Sequence, residues 1–320
     1  GEDDYNVGIE YDLPFLQPID ENGYFDDSIP DLKGKYFKVQ PEKKGKKGVW
    51  DTDRWVIDEL KRMNKLFATG SYEHDYPFCW RCKMALLYYA RESWFIKVSA
   101  YAEDLVETNS KVNWIPPSIG VGRFQNFIEN ARDWAISRER FWGTPLPFWL
   151  CNNEECKTVE YVGSYDELKE KSIGNVVLDD YHKPYIDEVK LKCPKCGGQM
   201  TRTPEVLDCW YDSGAAPFAQ YHYPFENKEK VDAEYPMSFI SEGMDQTRGW
   251  FYSLHTIATL VFNHEAFQNV ISTGLVLDGE GQKMSKSKGN IIDPWSIFDT
   301  YGVDSIRFLY YIMNQPHKSK

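Results

Sequence analysis

Residues 237–272 read MSFISEGMDQTRGWFYSLHTIATLVFNHEAFQNVIS, and the succession of patterns in this stretch decides the fold. Met237-Ser238-Phe239-Ile240 has the look of a short buried strand, Thr247 to Asn263 carries a mostly apolar run of helical length, and Asn269-Val270-Ile271-Ser272 is a second strand. Strand, helix and strand in that order make one crossover of a parallel sheet, so the chain is predicted to be α/β. The run Trp250 to Phe262 is interrupted by Ser253, His255 and Thr256 and is too short to span a bilayer. No membrane partner is expected.

Outward from this crossover, composition narrows the remaining choices. The 320 residues are 42% hydrophobic and 16% aromatic, enough for a sizeable core and for more than one folding unit. The 37 basic against 49 acidic residues give a formal charge of −12, so any nucleic-acid partner must be met by local basic patches rather than by the average charge. The sequence opens at Gly1-Glu2-Asp3-Asp4 with neither Met nor a basic and apolar leader, which predicts a truncated beginning and no signal peptide. Six of the seven cysteines form close pairs, Cys79/Cys82, Cys151/Cys156 and Cys193/Cys196, while Cys209 stands alone. That pattern suits metal ligation in a reducing, cytoplasmic setting better than a disulfide framework.

Toward the beginning, residues 7–38 alternate short apolar runs with turn residues and are predicted to be strands and loops of a β-rich unit. The run Lys43-Lys44-Gly45-Lys46-Lys47 reads as solvated surface. Residues 51–66 place Trp55, Val56, Leu60, Met63 and Leu66 at helical spacing, with Asp53 near the start. Residues 84–89 and 93–98 are predicted strands of a buried sheet. Residues 123–140 are charged and partly helical, and Gly143 and Pro145 end that segment. Residues 151–203 form a compact insert bounded by cysteine pairs. Trp94, Trp134, Trp142 and Trp149 are expected to pack structurally.

The sharpest chemical signal is Asp278-Gly279-Glu280-Gly281-Gln282-Lys283-Met284-Ser285-Lys286-Ser287-Lys288-Gly289-Asn290, shortly after the second strand. Lysines supply mobile charge for phosphate oxygens, serine hydroxyls and backbone N–H groups add donors, and the glycines allow close approach. A loop of this kind can close on a polyphosphate. Cys193-Pro194-Lys195-Cys196-Gly197-Gly198 has zinc-knuckle spacing, and Cys151 and Cys156 can complete a tetrahedral site. No open catalytic position is evident, so Zn²⁺ is expected to be structural. Cys209 reads as a small packing residue, because no base can be identified beside it.

Lys283-Met284-Ser285-Lys286-Ser287 resembles the second signature of the class I aminoacyl-tRNA synthetases. Three further segments are similar to the isoleucyl branch of that family: Trp134-Ala135-Ile136-Ser137-Arg138-Glu139-Arg140-Phe141-Trp142-Gly143, Leu207-Asp208-Cys209-Trp210-Tyr211-Asp212-Ser213-Gly214, and Glu242-Gly243-Met244-Asp245-Gln246-Thr247-Arg248-Gly249-Trp250. The valyl branch shares the architecture and is the alternative. A non-catalytic, zinc-containing RNA-binding module is the rival outside the enzymes, against which the intact lysine loop argues.

The resemblance implies the second half of a Rossmann-like catalytic domain, with ligands beyond the carboxyl ends of its strands. It divides the chain into the C-terminal part of an editing domain (1–78), a return into the catalytic domain (79–150), a zinc-knuckle insert (151–205), the catalytic half with the lysine loop (206–290) and the start of a helical stem (291–320). It implies ATP-dependent activation of isoleucine and transfer to tRNA(Ile), with Mg²⁺ accompanying ATP. Lys283 and Lys286 would then neutralise the leaving pyrophosphate. Glu242, Gly243, Asp245 and Gln246, with Met284, Ser285 and Ser287, would hold the adenylate, and Trp210 and Trp250 would wall the side-chain pocket. Arg123, Arg132, Arg138 and Arg140 would meet the acceptor strand. Asp4 matches an editing aspartate that holds the amino group of a misattached amino acid. Editing is needed because an apolar pocket rejects a side chain one methylene smaller only weakly, isoleucyl enzymes being the standard illustration of such two-step selection. Cys79/Cys82 is a half-site whose partner pair would lie upstream. The first nucleotide signature has no counterpart around any of the six histidines, so the chain is expected to be an internal fragment of a monomeric enzyme, inactive in activation by itself.

Overall fold

The computed structural model describes residues 2–38, 51–79, 82–174, 176–285 and 289–319. The lysine run at 43–47, and Lys286 and Ser287 of the lysine loop, lie outside the described residues. The chain divides into two compact units, Gly1–Glu92 and Ser93–Lys320.

The first unit departs from the β-rich expectation. It holds helix α1 (Glu2–Glu10), a 3₁₀ turn at Pro30–Leu32 and helix α2 (Asp51–Arg62). Among the described residues its β pairing consists of isolated bridges, Ile19 with Phe25, Tyr24 with Tyr36 and Phe78 with Ala85. Local side chains satisfy the backbone that a ladder would otherwise need: Asp20 Oδ1 accepts the N–H groups of Asn22 and Tyr24, each at 2.9 Å, and Asp26 Oδ1 that of Ser28 at 2.8 Å. Gln17 does the same across a long sequence separation, its Oε1 accepting Ala90 N–H (2.8 Å) and its Nε2 donating to Ala90 O (3.3 Å). Leu32, Phe37 and Ala85 are buried. Thr52 Oγ1 donates to Phe37 O at 2.5 Å and Lys38 pairs with Asp53 at 3.0 Å, fixing the start of α2. The strand expected at 84–89 reduces to the single Ala85 bridge.

The second unit opens with strand β1 (Phe95–Ile96), helix α3 (Ala102–Asn109), strand β2 (Asn113–Ile115), a π-helical turn at Ile119–Phe124, helix α4 (Gln125–Glu129) and strands β3 (Trp134–Ala135) and β4 (Ser137–Arg138). The insert follows, with β5 (Phe148–Cys151), β6 (Val159–Tyr161), α5 (Tyr165–Lys171), β7 (Leu191–Lys192) and β8 (Gln199–Arg202). Next come β9 (Val206–Leu207), α6 (Cys209–Ala219), α7 (Lys228–Glu234), β10 (Ile240–Gly243), α8 (Trp250–Phe262) and β11 (Asn269–Thr273). Helices α9 (Pro294–Tyr301) and α10 (Val303–Met313) close the described chain.

Strands β10, β11 and β2 form a parallel sheet in that order, with Ile240 opposite Val270, Glu242 opposite Ser272 and Val270 opposite Trp114. The crossover expected from residues 237–272 is therefore present. Its first strand starts at Ile240 rather than Met237, because Asn269 Nδ2 takes Ser238 O (2.8 Å) out of the ladder. Its helix starts at Trp250 rather than Thr247, after a 3₁₀ turn at Met244–Arg248. Helix α8 is buried from Ser253 to Thr259 and packs with Trp114, Phe124, Phe267 and Val270 into the main core. Among the described residues no helix is long and apolar enough to cross a membrane. The insert has its own antiparallel sheet, β6-β5-β8-β7, and a separate core of Trp149, Leu168, Ile186, Leu191 and Met200.

Two exposures correct the sequence reading. Trp142 is not core but 67% exposed, its ring stacked on His182 at 4.6 Å. Cys209 is exposed at the first position of α6 rather than packed.

Helices α6 and α8 meet backbone to side chain at Gly214, where an added Cβ would lie 2.8 Å from Ile257 Cδ1 and from Ser253 C and O. The Gly214→Ala variant is expected to lose about 2 kcal/mol by overpacking in denaturant unfolding, whereas Gly122→Ala, with open space around it, should be near neutral; equal stability of both variants would contradict the close approach. A second expectation comes from His255 in α8. Its Nε2 donates to Leu105 O (2.9 Å), and its buried Nδ1 has no partner among the described residues. Burial pushes the imidazole down to about 4, against the opposing pull of Leu105 O. The unfolded state therefore binds a proton first as pH falls, and stability should drop by about 3 kcal/mol between about pH 6.5 and pH 4. Unfolding free energies across that window should show a flatter slope in His255→Gln.

Candidate active site and cysteine cluster

Parallel strands of an open α/β sheet leave their carboxyl ends and the following turns free for ligands. Glu242 and Gly243 end β10 opposite Ser272 and Thr273 of β11, with the Glu242 side chain exposed. Gly243 has a local reason. A Cβ there would stand 2.6 Å from Asp245 Oδ1, so glycine lets that carboxylate fold back over the strand end. Gln246 lies in the 3₁₀ turn and caps the next helix, its Oε1 accepting Trp250 N–H at 2.8 Å while its Nε2 reaches Asp245 Oδ2 at 3.3 Å. This amide cap displaces the helix start that the sequence pattern placed at Thr247.

Trp210 joins the same place from α6. Its Cη2 atom would be 3.3 Å from a Cβ on Gly249, and Gln246 Oε1 would be 2.6 Å from that Cβ, so the indole lies over the turn that leads into α8. Trp250 is tied to α6 in return, its Nε1 donating to Ser213 O at 3.2 Å. Trp210 is 42% exposed. The two tryptophans and Gln246, singled out from motifs well apart in the chain, thus meet at one helix crossing beside the carboxyl end of β10.

The lysine loop is closed at its neck. Leu277 bridges Lys283, and Asp278 Oδ1 accepts the N–H groups of Glu280 (3.0 Å) and Gln282 (2.8 Å). Asn290 spans both limbs, its Nδ2 donating to Asp278 Oδ2 (2.7 Å) and Lys283 O (3.3 Å) while its Oδ1 accepts Ser285 N–H (2.8 Å). Lys283 is exposed and Met284 and Ser285 are half-buried. Sequence reasoning gave Asn290 no role; the signal was present in the pairing of Asp278 and Asn290 at the two ends of a Gly-containing loop, which is what a side-chain clasp requires.

The arginines expected to face an acceptor strand divide. Arg138 Nη2 donates to Asp208 Oδ2 at 2.6 Å, and its Nη1 donates to the Ala135 and Ser137 carbonyls, so its guanidinium is tied to the fold although the side chain is 42% exposed. Arg123 Nε donates to Thr247 Oγ1 at 3.0 Å. Arg132 and Arg140 are exposed. Asp208, unassigned in the sequence reading, is buried and also accepts Trp134 Nε1–H (3.1 Å) and, through Oδ1, Trp210 N–H (3.2 Å). Its signal was an aspartate immediately before a helical run.

Cys151, Cys156, Cys193 and Cys196 converge in the insert, all four Sγ atoms within 4.8 Å of one another. Cys151 to Cys196 is 3.4 Å and Cys156 to Cys193 is 3.8 Å. A tetrahedral zinc with Zn–S near 2.3 Å needs sulfur separations of about 3.8 Å, so the donor set fits. Gly197 (φ +73°) turns the knuckle, with Gly197 N–H on Cys193 O at 2.9 Å, and Gly198 N–H points at Cys196 Sγ at 3.4 Å. The Cys196 backbone N–H, foremost among the backbone donors, brings the Cys193 thiol down to about 6. Cys151, although the Asn153 backbone N–H favours its thiolate, is pushed up to about 12 by desolvation and by bonding with the other three sulfurs.

In the first unit, Cys79 N–H donates to Met84 O and Lys83 N–H to Cys79 O, both at 2.8 Å. Among the described residues Cys79 and Cys82 belong to no larger cluster. Asp4, on α1, lines a cavity of about 810 Å³ with Tyr5, Ile9, Leu16, Leu87 and Tyr88.

Comparison with known proteins places the chain in a family. The chain is 48% identical to the isoleucine–tRNA ligase of Clostridium acetobutylicum over 99% of its length, 45% identical to that of Dehalococcoides mccartyi over 100%, and 44% identical to that of Thermus thermophilus over 100%. It spans 29%, 31% and 29% of those relatives, respectively. Among solved structures, Mycobacterium tuberculosis methionyl-tRNA synthetase in complex with methionyl-adenylate matches 76% of the chain and 38% of its own, at 17% identity and a TM-score of 0.47. The family described as tRNA synthetases class I (I, L, M and V) matches residues 20–319, and this chain belongs to that family.

Proposed function

We propose that the chain is part of an isoleucine–tRNA ligase, an enzyme that activates isoleucine with ATP, transfers it to tRNA(Ile) and removes valine joined in error by hydrolysis, this part being inactive in activation by itself. The observation that carries this reading is the meeting of Trp210, Gly249, Gln246 and Trp250 at the α6–α8 crossing, together with 44% to 48% identity to isoleucine–tRNA ligases. Two large rigid indoles define a shape for a branched aliphatic side chain. The accompanying expectations are a monomeric, cytoplasmic enzyme and Mg²⁺ bound with ATP.

In the activation step an isoleucine carboxylate oxygen attacks the α-phosphorus of ATP, the bond to the bridging oxygen breaks, and pyrophosphate leaves with the electron pair. Lys283 and Lys286 neutralise charge as it builds on the departing phosphates. Glu242, Asp245 and the Gln246 amide accept from and donate to the ribose hydroxyls and neighbouring polar atoms, while Gly243 lets the adenylate approach the strand end. Met284, Ser285 and Ser287 complete the phosphate-facing loop, which Asp278 and Asn290 hold closed. No atoms of these residues form a covalent intermediate. In the first unit, Asp4 in its cavity is read as an editing residue that pairs with the amino group of misattached valine, within the C-terminal part of an editing domain at 1–78. Exposed Arg132 and Arg140 remain suited to acceptor-strand phosphates.

Cys151, Cys156, Cys193 and Cys196 would hold Zn²⁺, which supplies charge for four thiolates and folding free energy to the insert. Cys79 and Cys82 offer two further thiolates.

The test is amino-acid-dependent ATP–pyrophosphate exchange on the full natural chain bearing this sequence, with isoleucine, valine, leucine and methionine in parallel. Preference for isoleucine with slower exchange on valine is expected; preference for valine would select the valyl reading, and no exchange with any of the four would select the RNA-binding module. Lys286→Ala should slow exchange with zinc content unchanged, whereas joint loss of both would make the loop a structural element. Zinc removal gives a separate check. Elemental analysis should find zinc retained by the wild type and depleted in Cys193→Ser, and chelation should lower the melting temperature of the insert without abolishing the secondary structure of the parallel sheet; a metal-free protein of unchanged stability would exclude the zinc site.

A further inference from the structure

We infer that Asp208 is a positioning residue for amino-acid selection, a buried carboxylate that fixes the Trp210 wall, with Arg138 as its lock. The inference rests on the proposed pocket formed by Trp210 and Trp250. Capping a helix asks for only one acceptor, which Ser or Thr can provide. Asp208 offers two, and each serves a different element. Oδ1 accepts Trp210 N–H at the start of α6. Oδ2 accepts from Arg138 Nη2 at 2.6 Å and from Trp134 Nε1 at 3.1 Å, both on the β3–β4 strap. The Asp208 side chain is 5% exposed, so this charge-assisted pair is largely shielded from water on the carboxylate side.

The backbone around it leaves little freedom. Asp208 N–H donates to Ile136 O at 2.7 Å, and Ser137 and Leu207 are opposite each other in the β4–β9 pair. Arg138 is held in turn by the Ala135 and Ser137 carbonyls. A rigid strap therefore grips the residue two before Trp210. One turn further along α6, Ser213 O takes the Trp250 indole N–H. The strap thus sets the start of the helix that carries one wall and anchors the other.

The experiment is pyrophosphate exchange on the full natural chain, titrated separately in isoleucine, valine and ATP, for the wild type, Asp208→Asn, Arg138→Gln, the double variant and Trp210→Ala, with melting temperatures alongside. Asparagine keeps an oxygen for the Trp210 N–H and loses the charged pair. Asp208→Asn should raise the isoleucine KM about tenfold, the size of one charge-assisted hydrogen bond, and reduce the preference for isoleucine over valine, with the ATP KM unchanged. Arg138→Gln should shift the same parameters, and the double variant should be no worse than Asp208→Asn alone. An unchanged isoleucine KM and preference in Asp208→Asn, or a parallel loss in ATP KM, kcat and melting temperature, would overturn the inference. If the wild type and Trp210→Ala behave as the pocket requires while Asp208→Asn does not, only this inference fails. If the wild type shows no isoleucine exchange, or Trp210→Ala leaves amino-acid selection untouched, the functional reading fails and this one with it.

Discussion

The close approach of α6 to α8 at Gly214 is the constraint on which the second unit depends. Without a side chain at that position the α6 backbone comes down onto Ser253 and Ile257, and the middle of helix α8, Ser253 to Thr259, is buried. Polar side chains on the buried stretch of a helix need partners, and α8 finds several, Thr259 with Thr108, His255 Nε2 with Leu105 O and Ser253 with Trp250 O, while His255 Nδ1 and Thr256 Oγ1 have no hydrogen-bond partner among the described residues. Those bonds bring in α3, and the apolar positions between them bring in β2 and β11 through Trp114, Phe267 and Val270. The sheet, the helix pair and the tryptophan-lined crossing therefore share one packing solution.

The insert solves a different problem. Its core of Trp149, Leu168, Ile186, Leu191 and Met200 is small, and the four cysteines gather at one edge of it. The four sulfurs lie where the β5 end and the β7–β8 turn meet, the place where a short antiparallel sheet would otherwise fray. Arg202, its side chain fully buried, works at the opposite end of β8 by binding Asp187 and the carbonyls of Leu146 and Glu205.

Much of this was legible in the sequence where a pattern is local and repeats. The crossover from β10 to β11 was visible because a long apolar run between two short ones has few other readings, and the cysteine cluster because ligand spacing is a local property. What failed was whatever depends on a distant partner. Residues 7–38 carry strand-like alternation, yet alternation supplies no neighbouring strand, and Asp20, Asp26 and Gln17 satisfy the backbone instead. The pairing of Arg138 was not legible because its carboxylate lies 70 positions away in Asp208. Trp142 looked like core because a lone indole in a sequence says nothing of the face it will occupy. The candidate site followed the same division: the motifs marked Trp210, Gln246 and Trp250, while the contacts that hold them, through Gly249, Ser213 and Asp208, needed coordinates.

The Gln246 amide belongs to both accounts. A free glutamine side chain samples many rotamers, and immobilising one costs up to about 2 kcal/mol. Here that cost falls within folding, because Oε1 is already committed to the first turn of α8 and the amide plane is set by Trp250 N–H and Asp245. The orientation of this amide is therefore chosen when the chain folds, so the shape and polarity that the turn presents are fixed beforehand rather than left to be ordered later.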